Sequence, residues 1–128
     1  MKSTLEVGKK LVELTGQGHW LEAIDALYSP DIVSVEPVAM PPGKECPIGI
    51  AAAREKTVRF FQEHDIHHCA VTGPWPHGDR FIVGFKLNLT AKNGPMAGKQ
   101  FDLEEAALYT VKDGKIVKEE FFYNMCCG

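Results

Sequence analysis

The chain has 128 residues with a net charge of −3, 45% of them apolar and 24% charged. That length is ordinary for one domain burying about two-thirds of its unfolded surface, and the charge is too dilute and too acidic for a nucleic-acid surface. No apolar run reaches membrane-spanning length, and the opening MKSTLEVGKKLVEL is not a signal peptide, so a cytoplasmic protein without membrane or nucleic-acid partners is expected.

Ser3-Thr4-Leu5-Glu6 is a capping-box pattern and predicts a helix from Ser3 to about Thr15, with Leu5, Leu11, Val12 and Leu14 as its apolar stripe. Gly16-Gln17-Gly18 breaks it. A second helix is predicted from about His19 to Tyr28 and is ended by Ser29-Pro30-Asp31, because the residue before proline resists the helical region. Ile32 to Glu36 reads as a short strand closed by Pro37. The stretch Pro37 to Pro47 holds four of the eight prolines and reads as a loop at a rim or lid. A third helix follows from about Ile50 to His64, with Ile50, Ala53, Val58 and Phe61 as its buried stripe.

From Asp65 the period changes from helical to two. Ile66 to Thr72 reads as a strand ended by Gly73-Pro74-Trp75-Pro76. In Arg80 to Lys92 the set Phe81, Val83, Phe85, Leu87 and Leu89 is wholly apolar and marks a covered face. Lys99 to Asn124 alternates on both sides of Lys112-Asp113-Gly114, the pattern of a long hairpin with a tight turn. Helices first and antiparallel strands later predict an α+β domain, helices on one face of a curved sheet with a cavity at its open end. The four cysteines, Cys46, Cys69, Cys126 and Cys127, match no zinc spacing and read as free thiols; no metal or cofactor is expected.

Ala23-Ile24 through Tyr28-Ser29-Pro30-Asp31, the Gly49 to Arg54 helix start, and Tyr109 to Val117 followed by Glu119-Glu120-Phe121-Phe122-Tyr123 resemble the nuclear-transport-factor-2-like superfamily, in its SnoaL-like and ketosteroid-isomerase-like branch. The resemblance spans nearly the whole chain. It implies a single domain over residues 1–128, a cone-shaped curved antiparallel sheet wrapped around three N-terminal helices (a cystatin-like roll), and a homodimer through the sheet. It does not select an activity, since members include isomerases, cyclases, hydrolases, dehydratases and binding modules.

In ketosteroid isomerases the strand after the second helix ends in an acid followed by proline, and that acid is the general base. Glu36-Pro37 falls at the same place. The isomerase's oxyanion donors do not carry over: their positions fall near Leu11 or Val12 and at Ala106, which argues against the familiar steroid mechanism. The family register turns Asp102, Glu104, Ala106 and Leu108 toward the cavity, with Val117, Glu119, Phe121 and Tyr123 on the last strand. It turns Glu105, Ala107 and Tyr109 away. An inward Glu104 or Glu119 needs a partner, for which Arg54 or His67 is available. His67 shares a face with Cys69 and Val71, so it is the inward histidine of the His67-His68 pair.

The function expected is a pocket for an apolar, steroid- or polyketide-like small molecule, with cofactor-independent proton transfer of isomerase, cyclase or dehydratase type. Glu36 is the base, His67 and Glu104 are its helpers, and Val83, Phe85, Leu87, Phe61, Glu119 and Tyr123 line the ligand. Two other readings stand beside it. Glu36 and the hairpin acids can be solvated strand-end and rim groups, and the whole chain can be a non-catalytic ligand-binding or dimerisation module.

Overall fold

The computed structural model describes residues 1–37 and 48–123. The proline-rich loop from Val38 to Pro47, with Met40 and Cys46, and the terminal Cys126 and Cys127 lie outside the described residues. Three helices, α1 (Thr4–Gly16), α2 (Trp20–Leu27) and α3 (Ile50–Glu63), accompany five strands. These are β1 (Tyr28–Val35), β2 (His64–His77), β3 (Arg80–Ala91), β4 (Gln100–Lys112) and β5 (Lys115–Phe122). The strands form one curved, open sheet in the order β1-β5-β4-β3-β2. No helix among the described residues is long and apolar enough to cross a membrane.

The predicted capping box is present: Ser3 Oγ accepts from the Glu6 amide, and Glu6 accepts from the Ser3 amide at 3.0 Å. The buried face of α1 is Val7, Gly8, Leu11, Leu14 and Thr15, while Leu5 stays exposed one turn too early to reach the sheet. Gly8 is buried for want of room. A Cβ there would stand 2.9 Å from Pro74 and 3.2 Å from Phe81, so the glycine lets α1 lie directly on the sheet.

Two strand readings change. The chain passes from α2 straight into β1 at Tyr28, and Pro30 is tolerated because β1 is an edge strand with a register shift between Tyr28 and Val33. Likewise Gly73-Pro74-Trp75-Pro76 bends β2 rather than ending it. The ladder slips between Thr72 and Trp75 and then resumes with Trp75 opposite Ile82 and His77 opposite Arg80.

The sheet is also mixed rather than wholly antiparallel. β2 to β5 form the expected meander, but β1 lies parallel to β5, pairing Ser34 with Glu119 and Val35 with Glu120. With α3 between β1 and β2, the chain has the length a parallel placement requires. The β4–β5 turn has Asp113 at φ 53° and Gly114 at φ 76°, the two positive φ values of a two-residue hairpin.

The core fills the space between the helices and the inner sheet face. Phe81, Val83, Phe85, Leu87 and Leu89 of β3 are all buried, as their alternation predicts, and Ala107, Tyr109 and Val111 of β4 lie beside them. Gly8→Ala should therefore destabilise the protein by about 1–3 kcal/mol in urea unfolding through overpacking against Pro74 and Phe81. That outcome opposes the roughly 1 kcal/mol that alanine gains over glycine in an unconstrained helix.

Candidate functional site

Above the core, the helices and the inner sheet face leave a cavity of about 160 Å³ lined by Trp20, Phe60, Phe61, Leu87, Leu103, Phe121 and Tyr123. Its polar wall is Glu36, Lys56, Thr57 and Glu105. A second void of about 50 Å³ involves Tyr28, Lys56, Tyr109, Glu119 and Phe121. Trp20 spans the aromatic layer, its ring centroid 5.8 Å from that of Phe61 and 5.2 Å from that of Phe85.

Lys56 organises the polar wall. It enters from α3 three residues after the buried Ala53 and four before Phe60, on the helix face that meets the sheet. Its Nζ donates to Glu36 Oε1 at 2.8 Å and to Ser34 Oγ, and stands 3.8 Å from Glu119 Oε2. It also lies 4.5 Å from the centroid of the Phe121 ring. The second oxygen of Glu36 accepts from the Tyr123 hydroxyl at 2.8 Å. Burial and this bond hold the Tyr123 hydroxyl above the ordinary phenol range, so it remains a donor.

Glu119 is fully buried, 2% exposed, and accepts from the Tyr28 hydroxyl and from Ser34. Burial pushes its carboxyl up, opposed by Lys56 and by those two donors. Tyr28, bonded in turn to Tyr109, is pushed up by burial and then by the Glu119 charge. Tyr28 gives its single proton to Glu119. No buried side-chain nitrogen or oxygen among the described residues lacks a partner.

Glu105 is different. It is only partly enclosed and makes no side-chain hydrogen bond among the described residues. Burial first, then the Glu36 charge, raises its carboxyl to about 7, with Lys56 opposing. It therefore changes charge near neutrality.

The sequence-derived candidates divide. Glu36, Phe61, Leu87 and Tyr123 line the main cavity and Glu119 the smaller one, whereas Val83 and Phe85 are buried in the core beneath. Glu104 does not join them. Its side chain is 76% exposed on the outer face, 3.9 Å from Lys86. The parity expected for β4 is reversed, because Glu105 stands opposite Phe85, Ala107 opposite Val83 and Tyr109 opposite Phe81, and those partners all face inward.

His67 does not join them either. It is the extra residue at the slip between Ile66 and His68, exposed, with its Nε2 2.7 Å from Thr90 Oγ1. Arg54 is occupied by Asp25 at the surface. Sequence reasoning missed Lys56, Glu105, Ser34, Tyr28 and Tyr109. A lysine inside the apolar spacing Ala53–Phe60 was the available signal for the first of these. Among the described residues, no group of three or more His, Cys, Asp or Glu side chains is arranged to hold a metal ion.

A model of the SnoaL-like domain matches residues 2–123. The chain is 34% identical to a candidate SnoaL-like polyketide cyclase from Mesorhizobium loti, also labelled a carbohydrate phosphatase. That likeness covers 95% of this chain and 100% of that one, with a TM-score of 0.87. A candidate polyketide cyclase from Pseudomonas putida KT2440 is 18% identical over 98% of this chain and 94% of that one, with a TM-score of 0.71. A nuclear-transport-factor-2-like protein from Burkholderia thailandensis E264 is 22% identical over 97% and 92%, with a TM-score of 0.74. The last two show the shared fold. No curated protein matches the chain.

The raised carboxyl of Glu105 has a consequence for stability. A carboxyl whose folded pKa exceeds its unfolded value costs stability as pH rises between the two, here from 4.5 to about 7. Glu105→Gln should accordingly be more stable than the parent at pH 8, by an amount on the order of 2 kcal/mol, and the gain should vanish near pH 4. Paired urea titrations at the two pH values measure it.

Proposed function

The chain belongs to the SnoaL-like domain family, and from that membership and the geometry of its cavity we propose that it binds a small apolar molecule there and transfers a proton on it without a cofactor. The observation that carries this reading is the presence of Glu36 and Glu105 in the wall of one aromatic cavity, Glu105 titrating at about 7. Proton carriers work best when their pKa lies near the working pH.

Glu36 is the base. Its carboxylate takes a proton from a substrate carbon next to an activating group, becomes the neutral acid, and returns that proton to another substrate atom. Isomerisation, cyclisation and dehydration all contain this step. Tyr123 and Lys56 hold the carboxylate in place through one oxygen each. Glu105 takes over the helper role expected of Glu104, and His67 has none.

One observation favours the alternative, a binding module without catalysis: both Glu36 oxygens already have partners. Solvent deuterium incorporation into a panel of one-ring carbon acids, followed by NMR, separates the two. The catalytic reading expects exchange by the parent and a loss of about 10²–10⁴-fold in Glu36→Gln. Equal exchange by parent and variant would leave only the binding module.

The homodimer through the sheet belongs to the same proposal. Trp75, Ile82 and Phe122 are exposed on the outer sheet face at 56%, 41% and 52%. Exposed apolar side chains grouped on one face mark an association surface. Light scattering coupled to size exclusion should give twice the chain mass for the parent and the single chain mass for Ile82→Asp.

A further inference from the structure

The donors and acceptors of the cavity wall do not balance, and the imbalance specifies a ligand. We infer that the cavity takes a small cationic amine, its nitrogen on the Glu105 carboxylate and an apolar body of about one ring among Trp20, Phe60, Phe61 and Phe121. This rests on the cavity being the ligand site, as proposed above, and narrows its occupant from an apolar molecule to an apolar body that carries one cationic group.

Charge comes first. Among the described residues, the carboxyls of Glu36, Glu105 and Glu119 share these walls with one ammonium, that of Lys56. Lys56 spends two N–H bonds on Glu36 and Ser34 and leans its charge toward Glu119 at 3.8 Å. Tyr123 spends its only proton on Glu36. An anionic ligand would face these carboxyls and find two of the three Lys56 N–H groups and the Tyr123 hydroxyl already engaged. Among the described residues Glu105 has acceptor capacity to spare, so the group that completes the wall is a donor, and a cationic donor makes the stronger bond.

The lining agrees. A cation within about 6 Å of an aromatic ring centroid is attracted to the ring face. The Lys56 ammonium already sits 4.5 Å from the Phe121 centroid, and Trp20, Phe60, Phe61 and Tyr123 offer further rings. Size closes the argument. At about 160 Å³ the cavity matches one arene ring, since an apolar cavity of about 150 Å³ accommodates benzene. Drug-sized ligands occupy pockets of roughly 300 Å³ and more.

Calorimetry at pH 8 with benzylamine, benzyl alcohol, benzoate and a two-ring naphthylmethylamine tests the assignment. Benzylamine should bind the parent at least about 10-fold more tightly than benzyl alcohol. Benzoate should bind most weakly and the naphthyl amine less tightly than benzylamine. In Glu105→Gln the preference for the amine over the alcohol should disappear.

Equal binding of alcohol and amine, tighter binding of benzoate, or an amine preference that survives in Glu105→Gln would overturn the inference while leaving a ligand cavity in place. Equal or tighter binding of the naphthyl amine would overturn its one-ring limit. Failure of all four compounds to bind would overturn it together with the reading of the cavity as a ligand site.

Discussion

One ammonium makes the polar centre of this protein possible. Glu119 is buried beneath an aromatic layer and Glu36 sits at its edge; two carboxylates so placed would repel each other and lose hydration. Lys56 stands between them and spreads its charge over both, while Tyr28, Ser34 and Tyr123 supply neutral donors to the remaining lone pairs. Such an arrangement is weak evidence for stability, because a buried ion pair recovers little more than its own desolvation cost. Its consequence is geometric. These bonds hold Lys56 and Glu36 in place, while Glu105 makes no side-chain hydrogen bond among the described residues.

The same constraint explains the division of labour among the hairpin acids. Strand residues alternate faces, so Glu104 and Glu105 cannot share a surface, nor can Glu119 and Glu120. Ladder pairing with β3 turns Glu105 inward beside Phe85, and pairing with β4 turns Glu119 inward beside Tyr109. Their neighbours Glu104 and Glu120 lie near Lys86 and Lys118. Two acids of the four are interior and two are ordinary surface charges.

Much of the fold was legible because periodicity reports burial. The alternation of Phe81 to Leu89, the Ser3–Glu6 cap and the Asp113-Gly114 turn each carry a local physical signal, and each appears as read. What failed was parity and pairing. Along Asp102 to Tyr109 both alternating sets mix polar and apolar residues, so the pattern does not choose a face, and the choice is made by neighbours on β3. The slip that expels His67 and the parallel seating of β1 on β5 also depend on distant strands. Glu36 and Tyr123 could be placed near a cavity from their positions in the chain. Lys56 was passed over because the stripe was drawn through Ala53 and Val58, although the Ala53–Phe60 spacing encloses it.

The parallel pairing of β1 with β5 also bears on how the molecule is made. Tyr28 and Glu119 are 91 residues apart, and Glu36 and Tyr123 are 87 apart. Each acid therefore meets its phenol partner only once β5 is seated against β1 and β4. Until β5 is seated, Lys56 has Glu36 and Ser34 but lacks Glu119, and the edge of β1 is unpaired. Contacts of such long sequence separation carry the largest loop-closure cost and form late. The polar cluster is thus complete only when β5 is seated, and without β5 the facing edges of β1 and β4 are left unpaired.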